Sequence, residues 1–279
     1  MQNTPNPAGT PPCVFVFSGL DPSGGAGFIA DVQVVNRHGC YPMGAITLET
    51  VQDTLGVQSL VPNQPEAVYE QALTACRDIH PAAVKIGALG SLAMVNAMTR
   101  LLREPEFRGL PIVLDTVLFS SNGTPLLAPA AMDRFQEDLF PLVSVITPNL
   151  EEFGLLSGHR ALPDSRSGEI DTWLAEFAGP LPCAVLLKGG HLAGAPEDRL
   201  WQRGVLTHYP GNRIDTLNSH GTGCVLSSAL ACRLALGHHL SEAVLFAKEF
   251  IGQALAGAPG LGKGSGPLDL GQDARLLPE

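Results

Sequence analysis

The sequence predicts an α/β fold in which a mostly parallel sheet is covered by helices on both faces. Short apolar runs bounded by turn residues recur along the chain, and amphipathic stretches of helical length separate most of them, the alternation that parallel strands require. The runs are apolar at successive positions rather than at every second one. Both faces of the sheet are therefore expected to be buried.

The first run, CVFVF (13–17), leads into SGLDPSGGAGFIAD (18–31), where four glycines separate a strand from a helix beginning near Ala26. GAITL (44–48) forms the second strand and the polar stretch ETVQDTLGVQS (49–59) follows it. Pro65 opens PEAVYEQALTACRDI (65–79) at the helix position where a missing N–H costs nothing. After AAVKI (82–86), Ser91 is placed to cap LAMVNAMTRLLRE (92–104). PIVLD (111–115), VSVIT (143–147) and AVLLK (184–188) supply three more strands. VLTHYPGNRIDTL (205–217) has turn residues between two short runs and predicts an antiparallel hairpin at one sheet edge. HGTGC (220–224) then opens a helix of small residues, VLSSALACRLALG (225–237). No internal repeat or flexible linker divides the chain, so residues 13–279 read as one domain behind a loose polar tail at 1–12.

Composition narrows the function. A net charge of −10 leaves no basic surface to neutralise a phosphate backbone, which argues against nucleic acid. No apolar run approaches a membrane span, and the N-terminal stretch lacks the apolar segment of a signal peptide, so a cytoplasmic protein is expected. The six cysteines (Cys13, Cys40, Cys76, Cys183, Cys224 and Cys232) show no C-x-x-C pair and read as reduced thiols. The eight histidines show no H-x-x-x-H spacing that would mark a transition-metal centre.

In a parallel α/β sheet the ligand crevice lies outside the carboxyl ends of the strands. Gly19 and Asp21, Gly87, Asp115, Pro148 and Asn149, and Lys188 with Gly189 and Gly190 all fall at that end of their runs, which predicts one site there. The 18–31 loop lets backbone approach a ligand and leaves helix N–H groups free, but it is neither a Walker loop nor a dinucleotide fingerprint. Read alone, Asp31 is either a solvated surface carboxylate or a group pointing back at the ligand, and the surface reading is favoured without context. Asn149 and Glu152 could hold magnesium through water, although their spacing is equally that of a capping box, the reading favoured without context. Lys188 is either a solvated edge charge or a point cation for phosphate. Asp115 could belong to a magnesium shell or hold substrate, and Gln52 could read a heterocycle edge; either could instead cap a loop.

The most specific motif is HGTGC. At a helix N-terminus the amides of Thr222, Gly223 and Cys224 face one point and stabilise negative charge. A cysteine in that field is expected to have a lowered thiol pKa and to serve as base or nucleophile, whereas Cys232 reads as a buried small hydrophobe.

The ordered set GLDPSGGAG, VQDTLGVQS, KIG, VLDTV, ITPNLEE, LLKGGH and HGTGC resembles the ribokinase-like superfamily. Within it, residues 13–256 are similar to the hydroxymethylpyrimidine/phosphomethylpyrimidine kinases of thiamine synthesis. The resemblance implies a three-layer α/β/α sandwich, commonly dimeric, that moves the ATP γ-phosphate to a pyrimidine hydroxymethyl group and then phosphorylates the monophosphate. It implies ATP and Mg2+ as cofactors. Gly221, Thr222 and Gly223 would form the anion hole and Cys224, where most ribokinase relatives carry aspartate, would accept the alcohol proton. Lys188 would steady the transferred phosphate. Asn149, Glu152 and Asp115 would serve the metal, and Lys188, Thr222 and Lys248 the nucleotide. Gly19, Asp31, Gln52, Ala88 and Val117 fall where the family holds its pyrimidine.

Departures from the family pattern cluster in that pocket: Ala88 in place of methionine, Glu49 and Thr50 in place of apolar residues, and Ser121 and Thr124 in place of lysine and aspartate. The expected substrate is 4-amino-5-hydroxymethyl-2-methylpyrimidine. The alternatives are a pyridoxal or pyridoxine kinase and a catalytically silent protein that binds pyrimidine or nucleotide.

Overall fold

The computed structural model describes residues 9–158, 167–190 and 195–271; residues 1–8 of the expected tail and His191 of LLKGGH lie outside the described residues. In chain order the strands are β1 (Cys13–Leu20), β2 (Tyr41–Asp53), β3 (Gly56–Pro62), β4 (Ala83–Ile86), β5 (Ile112–Leu114), β6 (Val145–Ile146), β7 (Ala184–Leu187), β8 (Glu197–Gln202) and β9 (Val205–Pro210). The helices are α1 (Gly27–Arg37), α2 (Pro65–Asp78), α3 (Leu92–Leu101), α4 (Met132–Arg134), α5 (Leu150–Ser157), α6 (Ser167–Ala178), α7 (Thr222–Ala235) and α8 (Leu240–Ala256). The strands form one sheet in the order β3-β2-β1-β4-β5-β6-β7-β8-β9. β2, β1, β4, β5, β6 and β7 pair parallel, and antiparallel strands close each edge.

Strand alternation divides the core into two layers. On β1, Phe15 and Phe17 face the side covered by α2, α3, α5 and α6, while Val14 and Val16 face α1, α7 and α8. On β7, Val185 and Leu187 point one way and Ala184 and Leu186 the other. All these strand residues are buried, at roughly 1.5–3 kcal/mol for each large side chain removed from water. The expected three-layer α/β/α sandwich is therefore the observed fold. Ser91 caps α3 by accepting a bond from the Met94 amide at 3.2 Å. No helix among the described residues is long and apolar enough to cross a membrane.

Two edge expectations need correction. VLTHY does form an edge strand, β9, but its hairpin partner is the preceding β8, turning at Arg203 and Gly204, and the residues after Pro210 form no strand. Charged residues in EDRLWQ hide that strand because Arg199 is buried in ion pairs with Asp171 and Glu197, both at 2.7 Å. At the opposite edge the polar stretch after GAITL is a β2–β3 hairpin turning at Thr54 and Leu55.

Candidate active site

At the carboxyl end of β1 the chain turns through Asp21 into the glycine loop and α1. Asp21 Oδ1 accepts from the Ser23 amide at 2.8 Å and the Ser23 hydroxyl at 2.7 Å; Oδ2 accepts from the Ala26 amide at 3.0 Å and lies 2.7 Å from His220 Nε2. Burial opposes ionisation of this carboxyl, but the bonds from His220, Ser23 and Gln52 outweigh it and hold Asp21 at about 2. One carboxylate thus clamps the glycine loop to the loop that precedes α7. The contact is close enough to demand glycine: Gly221 has φ +82°, and a Cβ there would collide with the Gly25 carbonyl.

Beneath the α7 N-terminus lie two buried ion pairs. Lys85 of β4 meets Asp31 of α1 at 2.7 Å, with both side chains fully buried. Lys188, just past β7, meets Asp115, just past β5, at 2.9 Å. Asp115 also accepts from Thr147 at 3.0 Å and from Ser227 of α7 at 3.1 Å. Burial works against its charge, yet Lys188 and Lys85 hold it below the usual carboxylate range. Burial likewise works against the Lys188 charge, and Asp115, Glu152 and Cys224 raise its pKa in spite of it. The Lys188 ammonium lies 3.1 Å from where a Gly223 Cβ would stand, so a cation and a helix N-terminus face the same space.

Several single-residue expectations change. Asp31 is neither on the surface nor open to a ligand, because Lys85 takes Oδ2 and the Ser228 hydroxyl takes Oδ1 at 2.6 Å. Asp115 is an anchor for Lys188 rather than an open metal ligand, its oxygens being shared among Lys188, Thr147 and Ser227. Asn149 and Glu152 form the capping box of α5: Asn149 Oδ1 accepts from the Glu152 amide at 2.9 Å and Glu152 Oε2 from the Asn149 amide at 2.8 Å. Glu152, itself buried, also accepts from Thr116 and from the Leu118 amide. Lys248 pairs with Asp198 at 2.7 Å, and Asp198 in turn accepts from the Gly189 amide at 2.8 Å, so this lysine braces the glycine turn and presents no free charge.

Cys224 sits where expected, in the first turn of α7 and partly exposed, with the Gly27 amide of α1 donating to its sulfur. Its expected ionisation is reversed. Burial pushes the thiol up to about 11; Lys85 pulls it down, but Asp115 and Asp31 push it further up. The helix N-terminus does not act on an isolated thiol here, because two carboxylates share its surroundings.

Of the residues expected to hold the pyrimidine, Gly19, Ala88 and Val117 lie at a separate apolar shelf. Ala88 packs with Leu48 and Leu126, flanked by Val117 and Leu60, and a Cβ on Gly19 would stand 2.9 Å from Leu48 Cδ1. The structure thus brings Gly19, Ala88 and Val117 together and places Gln52 against Asp21. Among the departing residues, Thr50 donates to the Leu20 carbonyl at 3.0 Å, Glu49 and Ser121 are exposed, and Thr124 lies 3.4 Å from the Val57 carbonyl. Sequence reasoning missed Lys85, Ser227 and Ser228. The available signal was a lysine inside an otherwise apolar strand, which is buried only with a partner.

A parallel sheet that gathers a glycine loop, a paired lysine and a helix N-terminus at its carboxyl edge defines a small-molecule phosphotransferase of the ribokinase-like fold. The chain belongs to the phosphomethylpyrimidine kinase family, whose model matches residues 21–269. It is 37% identical to the hydroxymethylpyrimidine/phosphomethylpyrimidine kinase of Streptomyces coelicolor over 97% of this chain and 98% of that one. Among solved structures it is similar to phosphomethylpyrimidine kinase from Clostridium difficile, with 32% identity, a TM-score of 0.75 and coverage of 88% of this chain and 99% of that one. Pyridoxal kinase from Staphylococcus aureus in complex with ADP is also similar, at 26% identity and a TM-score of 0.85 over 96% of each chain.

Proposed function

We propose that this protein transfers the γ-phosphoryl group of ATP to the hydroxymethyl oxygen of 4-amino-5-hydroxymethyl-2-methylpyrimidine, and then phosphorylates the resulting monophosphate, in thiamine diphosphate synthesis. The observation that carries this reading is the meeting of the Lys188 ammonium with the α7 N-terminus at Gly223. Phosphoryl transfer needs positioning and charge neutralisation, and these groups supply both. The apolar shelf of Ala88, Leu48 and Val117 suits the flat ring of the substrate.

In this mechanism the alcohol oxygen bonds to the γ-phosphorus as the bond to the ADP oxygen breaks. The amides of Gly223 and Cys224 and the Lys188 ammonium stabilise the equatorial oxygens, while the Thr222 amide already donates to the Ser219 carbonyl at 3.3 Å. Cys224 accepts the alcohol proton. With the thiol at about 11, its thiolate is a minority of about one part in ten thousand at pH 7, so the rate rises with pH.

Mg2+ belongs to the same proposal. The oxygens of Asn149 and Glu152 already accept bonds from Thr116, Leu118 and each other's amides, so these residues would hold the ion only through its own waters, supplying negative charge beside it. When bound, the ion neutralises phosphate charge.

Six free cysteines suit a reducing cytoplasm. The half-exposed Tyr41, Val51, Leu55 and Val61 of the β2–β3 hairpin offer apolar surface for a homodimer, which analytical ultracentrifugation checks. A second reading, pyridoxal kinase, is favoured by the structural similarity to the Staphylococcus aureus enzyme. Competing the hydroxymethylpyrimidine against pyridoxal in an assay for ADP release decides between them. A clear preference for pyridoxal overturns the first reading, and turnover of neither overturns both.

A further inference from the structure

Helix α7 is built from small residues, TGCVLSSALACRLA, and side chains of that size leave a helix with few knobs to fix its rotation about its own axis. Two serines replace that mechanical definition with polar pins. Ser227 and Ser228 are fully buried, stand three and four residues after Cys224, and so lie on its face of the helix. Ser227 donates to Asp115 at 3.1 Å and Ser228 to Asp31 at 2.6 Å. Each aspartate is held in turn by a lysine from a different strand end.

The pin through Asp115 reaches Lys188, which the proposed reaction already uses. The pin through Asp31 reaches Lys85, which no step of that reaction uses. Lys85 is fully buried, 2.7 Å from Asp31 and 3.4 Å from Ser18 Oγ. Burial opposes its charge, but Asp31, Cys224 and Asp115 keep the ammonium protonated. Gly87 is part of the same fit, since a Cβ there would lie 2.9 Å from Ser18 Oγ and 3.0 Å from Lys85 Nζ. A buried lysine, a buried aspartate and a buried serine are costly to retain in a core where apolar residues of similar size would pack as well. Their placement one helical turn below Cys224 gives them a use.

We propose that the buried chain Ser228–Asp31–Lys85 is a positioning device for phosphoryl transfer, holding α7 in the rotation that aims Cys224 and the Gly223 amide into the site. This rests on the kinase reading above. Lys85 has a second effect on Cys224: its positive charge offsets Asp31, so that the thiol faces a neutral pair rather than a lone carboxylate. The charged groups acting on Cys224 are Lys85 from β4, Asp31 from α1, Asp115 after β5 and Lys188 after β7, and the Gly27 amide bonds its sulfur.

The test uses the full chain and three variants. Ser228→Ala removes one hydroxyl from a helix that keeps all its other contacts; kcat is expected to fall about tenfold with KM for the ring alcohol within twofold, and Ser228→Thr, which keeps the hydroxyl, is expected to restore most of it. Lys85→Met removes the positive charge that lowers the Cys224 thiol, so alkylation of Cys224 by iodoacetamide at pH 8.5, followed by peptide mass spectrometry, is expected to slow about tenfold. A purely structural role predicts the opposite, because loosened packing exposes the thiol and speeds alkylation. Unchanged kcat per folded molecule in Ser228→Ala overturns the proposal whether or not Lys85→Met folds, and so does unslowed alkylation in a folded Lys85→Met. If the wild-type protein phosphorylates no ring alcohol, the kinase reading fails by itself, and the alkylation rate, which needs no turnover, still judges the positioning device.

Discussion

Replacing Asp21 by asparagine tests whether the clamp between the glycine loop and the α7 loop is electrostatic. The carboxyl is 3% exposed and is held at about 2 against an ordinary value of 3.8. That depression corresponds to about 2 kcal/mol of folding stability at neutral pH. The sign follows from the folded value lying below the unfolded one. The contribution is fully present above pH 3.8 and is lost as pH falls through about 2, because only the ionised carboxylate accepts all the bonds from Ser23, Ala26 and His220. Urea denaturation at pH 7 is therefore expected to show Asp21→Asn less stable than wild type by about 2 kcal/mol, with the gap shrinking to under about 1 kcal/mol near pH 2.5. Equal stability at pH 7, or a gap that does not change with pH, refutes the electrostatic account and leaves only packing.

Gly221→Ala places a Cβ against the Gly25 carbonyl at φ +82° and is expected to cost at least about 2 kcal/mol and most activity, read by thermal unfolding and turnover. Lys188→Met removes the cation facing the α7 N-terminus and is expected to lower kcat by about 10²–10³-fold in steady-state assays, the range for losing one preorganised charge donor. Alkylation of Cys224 in the wild-type protein is expected to be slow at pH 7, to climb with pH toward about 11, and to slow further with ring alcohol bound, as peptide mapping reports. Chelation of divalent cations is expected to abolish phosphoryl transfer while leaving the capping box of α5, and hence the thermal midpoint, nearly unchanged.

The sheet was legible because its parallel strands are buried on both sides and read as unbroken apolar runs. Its edges were not: β8 carries Glu197, Asp198 and Arg199, and the partners that let Arg199 and Asp198 be buried, Asp171 and Lys248, are distant in sequence. That these residues gather at one sheet edge was legible from where glycine and polar residues end the runs. The state of each charge in it was not, because Asp31 looks like any helix carboxylate until Lys85 is seen opposite, 54 residues away. The thiol at Cys224 failed for the same reason: the N-terminal dipole is written in the local sequence, and the two aspartates that counter it are not. For Asn149 and Glu152 the local spacing sufficed, since a capping box is closed within four residues.

In the proposed reaction a ring alcohol loses its proton to Cys224 as phosphate is transferred. Single-turnover rates with 4-amino-5-hydroxymethyl-2-methylpyrimidine and ATP, measured from pH 6 to 9 for wild type, Cys224→Ala and Cys224→Asp, test it most directly. The wild-type rate is expected to climb about tenfold per pH unit, as the thiolate of a group near 11 must. The Cys224→Ala rate is expected to be lower by about 10²–10⁴-fold and flat with pH, with partial recovery in Cys224→Asp. A flat wild-type profile, or a Cys224→Ala protein that keeps most of its turnover, contradicts proton transfer to Cys224.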